Sequence, residues 1–398
     1  MNNYADCFFV AARNLVKFDW HFLRELFGSG LIKSHRDFYD EKYISEIAEG
    51  SKDRLTEGTS LKLDVFLSQR DKISELCDEY MERAERENIF VASVEDEDYP
   101  VNWKNQSGMP RVFFGKGNRE LLQRTTQCGA VAIVGSRGAS KYALFATEKF
   151  ASGLGEKNIV VVSGMAAGVD RQAHLASVKT KGGTIAILAG GPDSVYPSTN
   201  QDIYDEIVAS GLVLSEIAPG GKAIRQYFPS RNRLIAGLSD CCLIMEAGEV
   251  SGTLHTASYA AAQGKEVFVL PNNIYFEAAR GGTKLLADGA NVLVNIEQVE
   301  DSVISALMAR KCNVTALRVD SDADLPGGLR EKASVSPDLL SDSDWKIVLK
   351  DLLTLRPLNI DEICANLNLP FGRASGIVTA MELTGDIYLA DGKYRLGC

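Results

Sequence analysis

The chain of 398 residues has no run of about 18 consecutive apolar residues, so no part of it reads as a membrane-spanning helix. Its N-terminus lacks a basic segment followed by an apolar core and a small-residue cleavage site, and no signal peptide is expected. Histidine is scarce, with four scattered residues, and none of the eight cysteines forms a Cys-x-x-Cys pair. A structural zinc site needs four clustered ligands, so no metal is expected. The adjacent Cys241 and Cys242 lie in the apolar run CCLIM, which reads as a buried strand. Reduced, buried thiols of this kind fit a cytoplasmic protein. There is also no excess of positive charge: 43 Lys and Arg stand against 53 Asp and Glu, a net charge of −10. Phosphate binding rewards cations, but it depends on the local field and not on the sum over the molecule. What matters is whether the basic residues gather at one place.

What is present is ordinary globular composition, 45% hydrophobic and 24% charged. At roughly 150 residues per domain the length implies two or three domains. Residues 1–98 read as a small helical, SAM-like packing domain: Leu23, Leu26 and Phe27 fall at helical spacing, as do Leu76, Tyr80 and Met81. Gly28-Ser29-Gly30 is the one Gly-x-Gly turn there of the kind that DNA-binding hairpins use. Over residues 99–300 the pattern changes to apolar runs separated by amphipathic stretches, with strands expected at 130–136, 158–164, 184–190, 211–216, 241–247 and 266–271. Near-continuous apolar strands are the mark of a parallel sheet covered on both faces. The expected fold class is therefore α/β, a Rossmann-like, doubly wound, mostly parallel sheet. Residues 301–340 are polar and Gly/Pro-bearing and read as a linker. In 341–398, three helix faces (Trp345, Val348, Leu349 and Leu352; Ile360, Ile363, Cys364 and Leu367; Ile377, Val378, Met381 and Leu383) precede a hairpin around Asp391-Gly392, which suggests a C-terminal winged-helix domain.

The informative motifs follow the carboxyl ends of the expected strands, where open α/β sheets bind ligands. Gly135-Ser136-Arg137 combines a tight turn with a guanidinium, and the amides of a following helix N-terminus favour an anion. The small residues of Ser163-Gly164-Met165-Ala166-Ala167-Gly168 leave backbone amides open in the same way. Asp170 and His174, four residues apart, can meet on one helix face, and a structural hydrogen bond is the reading preferred over an acid/base pair. Phe228-Pro229-Ser230-Arg231-Asn232-Arg233, with Lys222 and Arg225 just upstream, places four cations and an aromatic in a stretch without acids. Cations can hold phosphates and Phe228 can stack on an unpaired base. The competing reading pairs Arg231 or Arg233 with a buried acid such as Glu246. Glu246 to Thr253 repeats the strand, turn and small-residue helix with Ser251 and Gly252 at its bend, and Lys284 in Gly281 to Ala290 could close a pocket. No Walker A loop, no complete dinucleotide fingerprint and no nucleophile–base–orienter set is present, so neither a cofactor nor covalent chemistry is expected.

In order, GSR, SGMAAGVDRQAH, VYP, LSE, FPSRNRLIAGLS, SGTLHTA and GGTKLLADGA, with the lead-in DEDYP and GMPRVFFGKG, resemble the DNA-processing protein A (DprA/Smf) family over about 95–295. The resemblance implies binding of single-stranded DNA, protection of incoming strands during natural transformation, loading of the RecA recombinase, and a homodimer. It also implies a positively charged pocket of Arg137, Lys222, Phe228, Arg231 and Arg233, with the amides of Ser136, Gly164 and Ser251 as phosphate cradles. Ser198 stands where many members carry lysine, and Thr283-Lys284 where a Ser/Asn-like pair is common. The alternative is a nucleotide sensor or hydrolase on the same fold. The hydrolases of that group carry a catalytic glutamate, which Ser251-Gly252-Thr253-Leu254-His255-Thr256 lacks.

Overall fold

The computed structural model describes residues 2–18, 20–50, 55–104, 106, 108–321, 346, 349–350, 353, 357–367, 371–384, 386–390 and 392–396. It comprises two compact units, divided after Gln298. None of the described helices is long and apolar enough to cross a membrane.

The first unit opens with helices Asn2–Val16, Trp20–Gly28, Glu41–Gly50, Glu57–Ser68 and Arg70–Arg86. Their shared core is aromatic, built on Phe8, Phe9, Phe18, Phe22, Phe38 and Phe66. Phe8 meets Phe66 edge-on at 6.2 Å and 88°, the arrangement that ring quadrupoles favour. Gly28-Ser29-Gly30 ends a helix: the Ser29 N–H bonds Glu25 O at 3.0 Å and the Gly30 N–H bonds Phe27 O at 3.2 Å. With both amides engaged, the turn offers them to no phosphate.

The sheet has nine strands: β1 (Phe90–Ser93), β2 (Val112–Gly117), β3 (Ala130–Val134), β4 (Val160–Ser163), β5 (Thr184–Ile187), β6 (Leu212–Ser215), β7 (Cys241–Ile244), β8 (Glu266–Val269) and β9 (Asn291–Val292). Their spatial order is β1-β2-β6-β5-β4-β3-β7-β8-β9. The seven strands β3 to β9 pair parallel, while β2 joins β6 antiparallel and β1 joins β2 antiparallel. The six expected strands are present, each buried along most of its length because helices cover both faces. β1 lies on the N-terminal side of the expected boundary at residue 98, yet it is the edge strand of the sheet. Val91, Val112, Phe114 and Ala218 complete the core of the helical region, so that region and the sheet share one interior.

From β3 the chain winds outward through β4, β5 and β6, then returns through helix Tyr227–Leu238 to lay β7 against the other side of β3. The order therefore reverses between β3 and β7, the topological switch point outside which doubly wound folds open a crevice.

The second unit contains most of helix Ile296–Ser321, then helices Ile360–Leu367 and Phe371–Leu383, and the antiparallel hairpin β10 (Ile387–Ala390) and β11 (Lys393–Leu396). A bridge joins Leu358 to Tyr394. Its core gathers Ile304, Met308, Leu349, Leu353, Ile363, Ile377 and Met381. Helix Ile296–Ser321 corrects the reading of a linker from residue 301: Val299, Val303, Ile304 and Leu307 fall at helical spacing and are buried. The rest of the expected linker, and Trp345, Val348, Leu352 and Asp391, lie outside the described residues.

Candidate nucleic-acid interface

A cleft of about 780 Å³ opens at the switch point. Its floor is Val134, Gly135 and Ser136 at the end of β3, and Ala166 and Asp170 follow β4. Ser251, Gly252 and Thr253 follow β7, and Arg225, Phe228, Arg231 and Asn232 descend from the β6–β7 crossover.

The turn after β3 is held from below by Glu246. The buried Glu246 carboxylate accepts from the Ser140 hydroxyl at 2.5 Å and from the Ser140 N–H at 3.1 Å, and the Glu246 carbonyl accepts from the Ser136 N–H at 2.8 Å. Ser140 in turn caps helix Lys141–Glu156 by accepting from the Ala143 N–H. This work belongs to Glu246, and the acid that pairs with Arg233, as the competing reading had it, is Glu216. The bond to the Glu246 carbonyl corrects the reading of the Ser136 amide as a phosphate cradle, because that N–H already has a partner. Fixed in this way, the loop presents Arg137 on the surface, with its guanidinium 5.4 Å from the centroid of the Phe228 ring. Tyr196 meets Phe228 at 5.4 Å and 63°, so a half-exposed aromatic pair borders the cleft.

Arg231 behaves differently. It is 6% exposed, and its guanidinium donates to Gly164 O at 2.5 Å and to Ile187 O, the carbonyls at the ends of β4 and β5. Its Nε donates to the Asn232 side-chain oxygen at 3.1 Å, and Asn232 donates on to Gly252 O at 3.1 Å. Burial pushes its pKa down to about 10, against the attraction of Asp170 and with the repulsion of Arg137, so the group stays charged near neutrality. Gly164 makes this fit possible, because a Cβ there would stand 2.6 Å from the guanidinium. The Gly164 N–H bonds Asp170 at 3.2 Å, so it too is engaged and is no open phosphate cradle.

Asp170 and His174 do not meet. Asp170 accepts from the Gly164 and Ala166 amides, and burial raises its pKa despite Arg231 and those amides. His174 Nδ1 lies 2.7 Å from the Thr184 hydroxyl, which donates to Val161 O at 2.9 Å. The hydroxyl proton is thereby committed to the carbonyl, so Nδ1 carries the imidazole proton. Burial, then the nearby Arg231 charge, lowers the His174 pKa to about 3. Gly168 (φ +76°) turns the chain between β4 and this helix, and its α-carbon faces the Ser136 carbonyl too closely for any side chain.

Three expected site residues fall elsewhere. Arg233, two positions from Arg231 and so on the opposite helix face, donates to Glu216 at 2.7 Å and lines a different cleft. Lys222 is exposed on a third groove, and Lys284 is exposed outside the lining of the first. Two lining residues complete the site: Arg225, noted in the sequence as a nearby cation, and Tyr196 of the VYP motif, visible there only as an aromatic beside proline. Ser251 caps helix Gly252–Ala262 by accepting from the Thr253 N–H at 3.2 Å, which sets the positive end of that helix at the cleft.

Fold and cleft together define a doubly wound α/β protein with a cation- and aromatic-lined crevice at its switch point. The family model of DNA recombination-mediator protein A matches residues 90–303, and the chain belongs to that family. Protein Smf of Synechocystis is 35% identical over 60% of this chain and 59% of its own length. DNA processing protein DprA of Streptococcus pneumoniae is 38% identical over 52% of this chain and 73% of its own. The crystal structure of the Streptococcus pneumoniae protein aligns over 70% of this chain and 95% of its own, with a TM-score of 0.55 and 31% identity.

Proposed function

We propose that the switch-point cleft holds the backbone of single-stranded DNA, and that the protein protects incoming strands and hands them to the RecA recombinase during transformation and recombination. The observation that carries this reading is the pairing of exposed Arg137 and Arg225 with the Phe228–Tyr196 aromatic edge in one crevice. Guanidinium groups hold phosphates, and a half-exposed ring offers a face that only an unpaired base can reach. The protein acts in the cytoplasm, as a binder and not as an enzyme, with neither metal nor cofactor. A second copy of the chain pairs with it, and the support for this is the open edge of β9 with exposed Val292 and Val294. The winged-helix character of the second unit is part of the same proposal, supported by the two helices and hairpin described there. Ser251, Gly252 and Asn232 shape the strand's path.

Fluorescence anisotropy with oligothymidylate, a duplex and free nucleotides tests the reading. Single strands should bind best, and all three should be recovered intact. Arg137→Ala should weaken binding by about tenfold and flatten the log–log salt dependence by about 0.7. Preference for duplex, nucleotide turnover, or an unchanged salt slope in Arg137→Ala would overturn it.

A further inference from the structure

A second cleft of about 730 Å³ lies within the same unit, between the N-terminal helices and the α/β core. Five cations line it, Arg13, Arg24, Lys104, Arg111 and Arg233, with Glu216 as the one carboxylate. In a chain of net charge −10 this is a concentration of positive charge as unusual as that in the first cleft. Glu216 is already occupied: it accepts from Arg13 at 3.0 Å and from Arg233 at 2.7 Å. Its own burial pushes the carboxyl pKa up, but Arg233 and then Arg13 outweigh that and hold it below the usual range. Two cations therefore share one anion, and the remaining three have no carboxylate within salt-bridge distance among the described residues.

Arg111 is the sharpest of the three. It is half-buried, with its guanidinium 3.7 Å above the centre of the Phe27 ring. Burial lowers its pKa, against the pull of Glu95 and Tyr99. Stacking fixes the plane of the guanidinium and leaves its edge of N–H donors free to grip a planar or tetrahedral anion. Taking a guanidinium partly out of water without a hydrogen-bonding partner is costly, which a bound anion would relieve. Arg24 and Lys104 stand exposed at the rim. The aromatic wall behind them, Phe9, Phe18, Tyr99 and Trp103, is buried, so this cleft offers charge and an apolar floor but no open stacking face.

We infer that this cleft is a second phosphodiester-binding site, which engages the same single DNA strand beyond the segment held at the switch point. The inference rests on the single-strand reading of the first cleft. Helix Tyr227–Leu238 is the common wall: Arg231 and Asn232 face the first cleft, and Arg233 the second. A strand long enough to reach both makes the N-terminal helical region part of the DNA-binding surface.

The test is the length dependence of binding by the full chain. Oligothymidylates that fill one cleft, and others several times longer, are titrated against wild type, Arg24→Glu/Lys104→Glu, and a control of equal charge change outside both clefts, Lys149→Glu/Lys181→Glu. The double variant should lose about tenfold or more in affinity for long strands, lose little for short ones, and show a salt slope flattened by about 1.4 on long strands alone. Arg111→Lys, which keeps the charge but not the planar donor edge, should weaken long-strand binding with the same length dependence. Equal loss at both lengths, no loss at either, or the same loss in the control overturns the second site while leaving the first standing. If wild type holds no single strand of any length, the first reading falls with it.

Discussion

The two walls of the switch-point cleft use the same residue type in opposite ways. Outside β4 and β5, Arg231 is buried, bonded to two strand-end carbonyls and balanced by Asp170. Outside β3 and β7, Arg137 sits on the surface, with its guanidinium over the face of Phe228. A basic motif thus divides into cations that build the crevice and cations that remain available to a ligand. Charge does not separate the two kinds; burial and the supply of carbonyl acceptors do. One wall should answer to stability measurements and the other to binding measurements.

The largest effect is expected from Arg231→Ala. It leaves the Gly164 and Ile187 carbonyls without their donor and Asp170 without its counter-charge. Loss of one partner of a buried charge set costs about 3–5 kcal/mol. Urea unfolding should show that loss, whereas Arg137→Ala should stay within about 0.5 kcal/mol of wild type. Equal stability of the two variants would erase the contrast between the walls.

The buried wall also sets a pH dependence. His174 titrates near 3 in the fold, against an ordinary value of 6.5. Between those values the unfolded chain takes up a proton that the native state refuses, so acidification favours unfolding. Stability should decline from about pH 6.5 down to about pH 3, by an amount on the order of a few kcal/mol, and this group adds nothing further below that. In His174→Gln, denaturant midpoints followed over the same range should decline less steeply. Identical slopes would mean that the imidazole is not held neutral by burial.

The smallest effect is expected from deleting the second unit after Gln298. Neither cleft draws on it, so single-strand affinity should change by less than it does in Arg137→Ala. The helix Phe371–Leu383 contains Arg373 as its one cation, where a helix that reads duplex DNA normally carries several. If the shortened protein is folded by circular dichroism yet has lost its single-strand binding, the site lies in the wrong unit.

The parallel strands were legible because a strand buried on both faces must be apolar along its length, as CCLI and VVVS are. β1 and β2 were not: an antiparallel pair at the margin of the sheet carries no signature of its partner, and IFVAS (89–93) reads equally well as the end of a helical region. β9, two residues long, is too short to show a pattern. Sequence grouped Arg137, Phe228, Asn232, Ser251 and Gly252 as candidates, and the structure places all five on one crevice. Arg233 lines a different cleft because adjacency in a motif says nothing about helix face, and two residues turn a side chain through more than half a circle. Lys222 and Lys284 lie outside the lining of the crevice for a related reason, since flanking cations are separated by loop geometry that no local pattern encodes. The Ser136 amide looked open because its acceptor, the Glu246 carbonyl, comes from a distant strand end, and the Gly164 amide because its acceptor Asp170, six residues on, folds back onto the turn.

The shared interior of the helical region and the sheet also fixes an order of events during synthesis. The helical region is translated first, yet its core includes Val112, Phe114 and Ala218, and Arg13 finds its carboxylate at Glu216. The opening helices can coil as they leave the ribosome, but their packing stays unfinished until more than half of the polypeptide has emerged. Until then the phenylalanine cluster has an unsealed flank, and a nascent chain stalled before β6 would present that flank to chaperones.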